Sequence, residues 1–130
     1  MGSMSIEMID FPSLFTEEQL EFIGQNVVDT ARKVCGDKLR DVILYGSYAR
    51  GDFKEWSDVD IMVLADVDDT DCRRMDEQIT EEIFDLINRM NLLLSIFVTP
   101  YARFENMKPD YPFYRNVDNE GKRLWSMQTA

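Results

Sequence analysis

The sequence predicts a small α/β (α+β) protein: one mixed β-sheet with helices packed mainly on one face. Three observations carry this. Apolar runs of strand length recur at 39–45, 57–64 and 92–98. Stretches between and before them repeat their apolar residues at helical spacing. The resulting order, roughly αββαβα(β), suits a single sheet with helices laid against it.

At 130 residues the chain has room for one core and not two. Residues 1–15 read as a lead-in, with Met1-Gly2-Ser3 as a tag remnant before a native start at Met4, and Phe11-Pro12 set to pack on the body. The domain proper is 16–130. Thr16 followed by Glu17, Glu18 and Gln19 is a helix start, a capping side chain with acids in the first turn. Leu20, Ile23, Val27, Ala31 and Val34 form its apolar stripe, and Gly36 stops it. Leu39–Tyr45 is the first strand and Ser57–Leu64 the second. The acidic turn from Asp66 to Asp71 resembles a calcium loop only superficially. Asp71 stands where the obligatory glycine belongs, so the acids read as a helix N-terminus. That helix carries Met75, Ile79, Ile83, Leu86 and Met90 on one face. Leu92–Val98 is the third strand. A short helix follows at Ala102–Met107, then an aromatic-rich segment, Asp110–Val117, whose Tyr111, Phe113 and Tyr114 read as core or interface. A last strand lies at Arg123–Ser126.

Composition excludes several classes. The chain has no histidine, which removes Ser-His-Asp and Cys-His catalysis and histidine-bearing zinc sites. A net charge of −11 argues against non-specific nucleic-acid binding; it fits a basic protein partner or a nucleotide carried in with Mg²⁺, and equally the plain role of keeping a small protein soluble. Cys35 and Cys72 lack a pairing pattern and read as free thiols. With no secretory signal and no membrane-length apolar run, the expected location is the cytoplasm.

The chemistry concentrates in Tyr45–Leu64, YGSYARGDFKEWSDVDIMVL. Side chains alternate along a strand, so Asp58 and Asp60 share a face. Two carboxylates that close repel unless a cation lies between them or one is protonated. Hard oxygen ligands so spaced suit Mg²⁺, which completes its shell with water and substrate phosphates. Gly46 lets backbone approach a ligand closely, and its amides with the Ser47 hydroxyl can cradle phosphate. Arg50 can fork onto the phosphates or pair with Asp52 or Glu55. Ser57 reads as a turn residue. Of the surrounding Tyr45, Tyr48, Phe53 and Trp56, one could stack on a base, although packing is the plainer role.

Gly46-Ser47, ten residues, then Asp58-x-Asp60 resembles the signature of the DNA polymerase beta-type nucleotidyltransferases. The fuller GSYARG…WSDVDI is similar to the minimal nucleotidyltransferases, small prokaryotic proteins paired with HEPN-domain partners. The resemblance implies a nucleotidyltransferase fold and transfer of a nucleoside monophosphate, AMP from ATP, to a hydroxyl. Asp58 and Asp60 would be catalytic and hold one or two Mg²⁺ ions, while Gly46, Ser47 and Arg50 bind the nucleotide phosphates. The acceptor it implies is a tyrosine of a HEPN toxin, with this chain as the antitoxin.

The chain departs from that family at one place. Active members carry a third carboxylate on the next strand, yet 92–98 contains no acid and its one polar side chain is Ser95. A serine cannot serve as a base at neutral pH. Two other readings therefore stay open: a weak or inactive nucleotidyltransferase-fold module that neutralises its partner by binding, and a nucleotidyltransferase acting on a small molecule such as an antibiotic. Homo-oligomerisation is also open.

Overall fold

The computed structural model describes residues 15–54 and 57–127. The Thr16 start forms a reciprocal capping box. Its hydroxyl accepts from the Gln19 N–H at 3.1 Å, and the Gln19 side-chain oxygen accepts from the Thr16 N–H at 2.8 Å. Helix α1 runs Glu17–Cys35 and buries Ile23, Val27 and Ala31. Gly36, at φ 58°, closes it. Strand β1, Leu39–Tyr45, comes next, then the single-turn helix α2, Ser47–Arg50. Strand β2 is Val59–Ala65, followed by helices α3, Asp69–Glu82, and α4, Phe84–Met90. Strand β3 is Leu94–Pro100, helices α5 and α6 are Tyr101–Met107 and Pro112–Glu120, and strand β4 is Lys122–Ser126.

The sheet is mixed, in the order β3-β2-β1-β4. Strand β1 lies antiparallel to both β2 and β4, whereas β2 and β3 are parallel. Parallel neighbours need a long crossover, and α3 with α4 supplies it. The two central strands bury both faces, which explains their nearly unbroken apolar runs. Val42 and Leu44 of β1 and Val59, Ile61 and Val63 of β2 join Ile23, Val27, Met75 and Ile79 in the larger core. On the other face Ile43, Tyr45, Met62 and Leu64 pack with Phe104 of α5 and Val117 of α6.

The predicted fold class holds, with local departures. The 75–90 stripe divides at Ile83, whose φ −100°, ψ 9° breaks the helix into α3 and α4 without exposing it. Strand β3 runs through Pro100, tolerated because β3 is an edge strand and the missing N–H can face away from the sheet. The aromatic-rich segment is helix α6, opened by Pro112 in its first turn. Both α5 and α6 lie on the face opposite α1 and α3, so the second face carries a smaller helical layer of its own. Cys35 and Cys72 are free and buried. Among the described residues no helix is long and apolar enough to cross a membrane. The Phe11-Pro12, Glu55 and Trp56 expectations fall outside the described residues.

Gly121 holds α6 against the sheet. A Cβ there would meet the Val117 carbonyl oxygen, the Ile43 Cγ2 at 2.5 Å and the Leu44 carbonyl oxygen at 3.2 Å. Backbone cannot step aside as a flexible side chain can, so Gly121→Ala should destabilise the fold by about 1–3 kcal/mol. Gly24→Ala, in the middle of α1, meets only the Leu124 side chain at 3.2 Å and should be neutral or slightly stabilising. Urea unfolding of the two variants checks the contrast.

Candidate active site

The turn after β1 is built by backbone. Gly46 sits at φ 77°, ψ −157°, and its carbonyl accepts from the Ala49 and Arg50 N–H groups, each at 3.1 Å. The Ser47 carbonyl accepts from Gly51 at 2.9 Å and Asp52 at 3.2 Å, closing the turn of α2. Tyr48 is buried and stacks on Phe53, ring centroids 4.4 Å apart, with Phe15 beside it. These aromatics anchor α2 in the larger core and leave its start facing the sheet end.

Strand β2 begins two residues later than the sequence predicts. Ser57 belongs to a turn: its hydroxyl accepts from the Lys54 N–H at 2.8 Å and its N–H donates to the Lys54 carbonyl at 2.9 Å. Sheet bonding starts with Val59, whose N–H reaches the Leu93 carbonyl at 2.7 Å. Asp58 therefore stands just before the strand and Asp60 within it, and the two still converge. Asp60 lies opposite Tyr45 on β1 and Ser95 on β3, and the Ser95 hydroxyl donates to Asp58 at 3.4 Å. Burial, then the neighbouring Asp58 charge, raises the Asp60 carboxyl above its ordinary value, and Arg50 opposes the shift. Burial, with the Asp60 charge added, pushes the Tyr45 phenol up to about 12, so it stays neutral.

Ser95 is thus the β3 residue beside Asp60, where the family resemblance would put a third acid. Among the described residues no group of three or more acids or cysteines gathers to hold an ion. The donor set is two carboxylates and a hydroxyl on one face. That set fits Mg²⁺, which takes one or two protein carboxylates and fills its shell from water and phosphate. Arg50 lies beside the site but is engaged: it pairs with Asp52 at 3.2 Å and with Glu120 at 3.7 Å.

A cleft of about 240 Å³ opens from the turn. Tyr45, Gly46 and Arg50 form one wall. The other is α6, through Phe113, Asn116, Val117 and Glu120. Sequence reasoning placed Phe113 in core or interface; it is half exposed and meets Tyr45 edge-on, centroids 5.8 Å apart. Asn116 and Glu120 were missed altogether. Their i, i+4 spacing behind Pro112 was the available signal, but it fixes a helix face without saying what that face meets. A second, smaller cleft of about 160 Å³ lies on the other side of Phe113, lined by Met62, Phe97, Thr99 and Tyr114.

A Gly-Ser turn over paired carboxylates at the start of β2, on a mixed sheet, defines a nucleotidyl-transfer class of protein. The sequence pattern of the nucleotidyltransferase domain family matches residues 28–120, and the chain belongs to that family. A Methanocaldococcus jannaschii protein provisionally named a protein adenylyltransferase is 33% identical over 91 residues, covering 68% of this chain and 80% of its own. A second from the same organism, named alike, is 36% identical over 88 residues, covering 68% of this chain and 81% of its own. A chain from the crystal structure of a toxin–antitoxin with AMP-PNP shares the fold, with a TM-score of 0.50 at 21% identity over 81% of this chain and 74% of its own.

Proposed function

We propose that this protein transfers AMP from ATP to a tyrosine of a HEPN-domain toxin and so serves as its antitoxin. The observation that carries the reading is the convergence of Asp58, Asp60 and Ser95 beneath the Gly46 turn. The adenylyltransferase names of the two relatives support AMP as the group transferred. Asp58 and Asp60 would hold Mg²⁺, which when bound neutralises charge on the triphosphate and on departing pyrophosphate. The Gly46 and Ser47 amides and the Ser47 hydroxyl hold phosphate oxygens in line with the acceptor. In the transfer the acceptor oxygen bonds to the α-phosphorus, the bond to the bridging oxygen breaks, and pyrophosphate leaves with that electron pair. The acceptor proton passes to water.

Ser95 favours a phenolic acceptor. Without a third carboxylate the site offers no strong base, and a phenol, with a pKa of about 10, releases its proton far more readily than a serine or threonine alcohol. A tyrosine also brings its own apolar body, which the cleft by Phe97 and Phe113 can receive. The strongly acidic surface, net charge −11, suits a basic partner.

The test is incubation of the purified chain with Mg-ATP and the candidate HEPN protein, followed by intact-mass spectrometry and peptide mapping. One or more AMP additions on tyrosine are expected. Ser95 equally favours a second reading, neutralisation by complex formation alone. A partner that stays unmodified yet is still neutralised, including by an Asp58→Ala, Asp60→Ala variant, would establish that second reading and remove the first.

A further inference from the structure

The motif says nothing about which base the nucleotide carries. The 240 Å³ cleft is smaller than the roughly 300–1,000 Å³ that encloses a whole drug-sized ligand. It suits a base with part of its sugar, provided the triphosphate lies outside on the Gly46–Ser47 turn. Resting on the nucleotide-binding reading above, we infer that α6 reads the base in this cleft and selects adenine, with Phe113 as the stacking platform and Asn116 and Glu120 as the hydrogen-bonding edge.

Each side chain is placed for its part. The Phe113 ring is half exposed and held edge-on by Tyr45 and by Tyr114, centroids 5.8 and 5.4 Å away. A ring so fixed offers a flat face at little entropic cost, and base–aromatic stacking of this kind tolerates any base. Selection must therefore come from the polar edge. Asn116 is exposed to solvent where it lines the cleft, and its side chain hydrogen-bonds to no other described residue. Its amide presents one acceptor beside one donor. Adenine offers the complement, the N6 amino group next to a ring nitrogen acceptor, and Asn is a standard bidentate partner for it. Glu120, one helical turn on, supplies a second acceptor for the other N6 hydrogen; its contact with Arg50 is a long 3.7 Å. Guanine puts its O6 acceptor where adenine puts N6, facing the Asn116 carbonyl and the Glu120 carboxylate, and is repelled.

Three probes test this by calorimetry: Mg-ATP, Mg-GTP and Mg-tripolyphosphate. The native chain should bind Mg-ATP at least tenfold more tightly than Mg-GTP. Asn116→Ala should weaken Mg-ATP about ten- to a hundredfold and leave Mg-tripolyphosphate unchanged, which also shows that the variant is folded. Asn116→Asp offers only acceptors, so it should lose Mg-ATP affinity and gain Mg-GTP through the guanine N1–H and N2–H donors, a reversal that a merely structural role cannot produce. An ATP-to-GTP ratio unmoved by both substitutions overturns the inference. Mg-tripolyphosphate bound as tightly as Mg-ATP by the native chain overturns it too, while sparing the phosphate site. Binding of none of the three overturns the nucleotide-binding reading and this inference with it.

Discussion

Gly46→Ala is expected to remove Mg-ATP binding by at least a hundredfold and to cost about 2 kcal/mol or more of stability. Two effects add at this position. The backbone conformation, φ 77° with ψ −157°, is one that side-chain-bearing residues rarely adopt. A Cβ there would also run into the Asp60 carboxylate, reaching Oδ2 first and Cγ at 3.3 Å. The turn and the carboxylate cannot both keep their places, so the proposed phosphate cradle and the proposed metal site would be disturbed together. Gly51→Ala separates the two effects, because Gly51 has φ 86° with nothing within 4 Å of the added atom. It should cost about 1–2 kcal/mol in backbone strain and leave nucleotide affinity near the native value. Urea unfolding and calorimetry on the two variants make the comparison. Native-like Mg-ATP binding by Gly46→Ala would mean that the turn does not set the site.

Asp58 and Asp60 show why part of the candidate site's geometry was legible in the sequence. Alternation in a strand is a hard geometric rule, and it put Asp58 and Asp60 together even though pairing begins only at Val59. Two apolar runs joined by a helical crossover suit parallel neighbours, but the register that sets Ser95 beside Asp60 comes from the structure. In the sequence Ser95 stood out only through the family resemblance. Local signals were equally reliable where a single side chain decides, as at Thr16, whose capping box forms as its spacing predicts. What the sequence hid depends on contacts between distant segments. Helix α6 has short apolar content and faces a sheet surface that its own residues do not specify, so Phe113, Asn116 and Glu120 gave no sign of meeting Gly46 and Arg50. The break at Ile83 was invisible for a related reason: the residue stays buried, so the apolar stripe continues across a change in backbone direction. Arg50 illustrates competition between partners. Its pairing with Asp52 was one of the two roles its neighbours allowed, and Glu120 joins from a helix 70 positions further along the chain.

The Asp58→Ala, Asp60→Ala double variant should lose Mg-ATP binding to below detection and any transfer activity by three orders of magnitude or more, roughly what loss of the metal centre costs. The single variant Asp60→Asn separates function from fold. In the folded chain burial and the Asp58 charge raise the Asp60 carboxyl, so the neutral form is the one the fold favours. What Asp60 contributes to stability is therefore present in acid and is lost as pH rises through its raised pKa. At neutral pH the metal-free protein carries that cost, and Asp60→Asn should relieve it, raising the unfolding midpoint above the native value while abolishing Mg-ATP binding. The advantage of the amide should shrink on acidification, when the native carboxyl is itself neutral. Ligand binding runs the opposite way. The cation needs Asp60 ionised, so native Mg-ATP affinity should fall on acidification at a higher pH than an ordinary aspartate would give. Thermal unfolding of the two proteins across pH, with and without Mg-ATP, measures both trends at once. A destabilised Asp60→Asn would mean that Asp60 holds the fold together. A stabilised variant that no longer binds Mg-ATP would place the residue among those kept for a ligand at the expense of the fold.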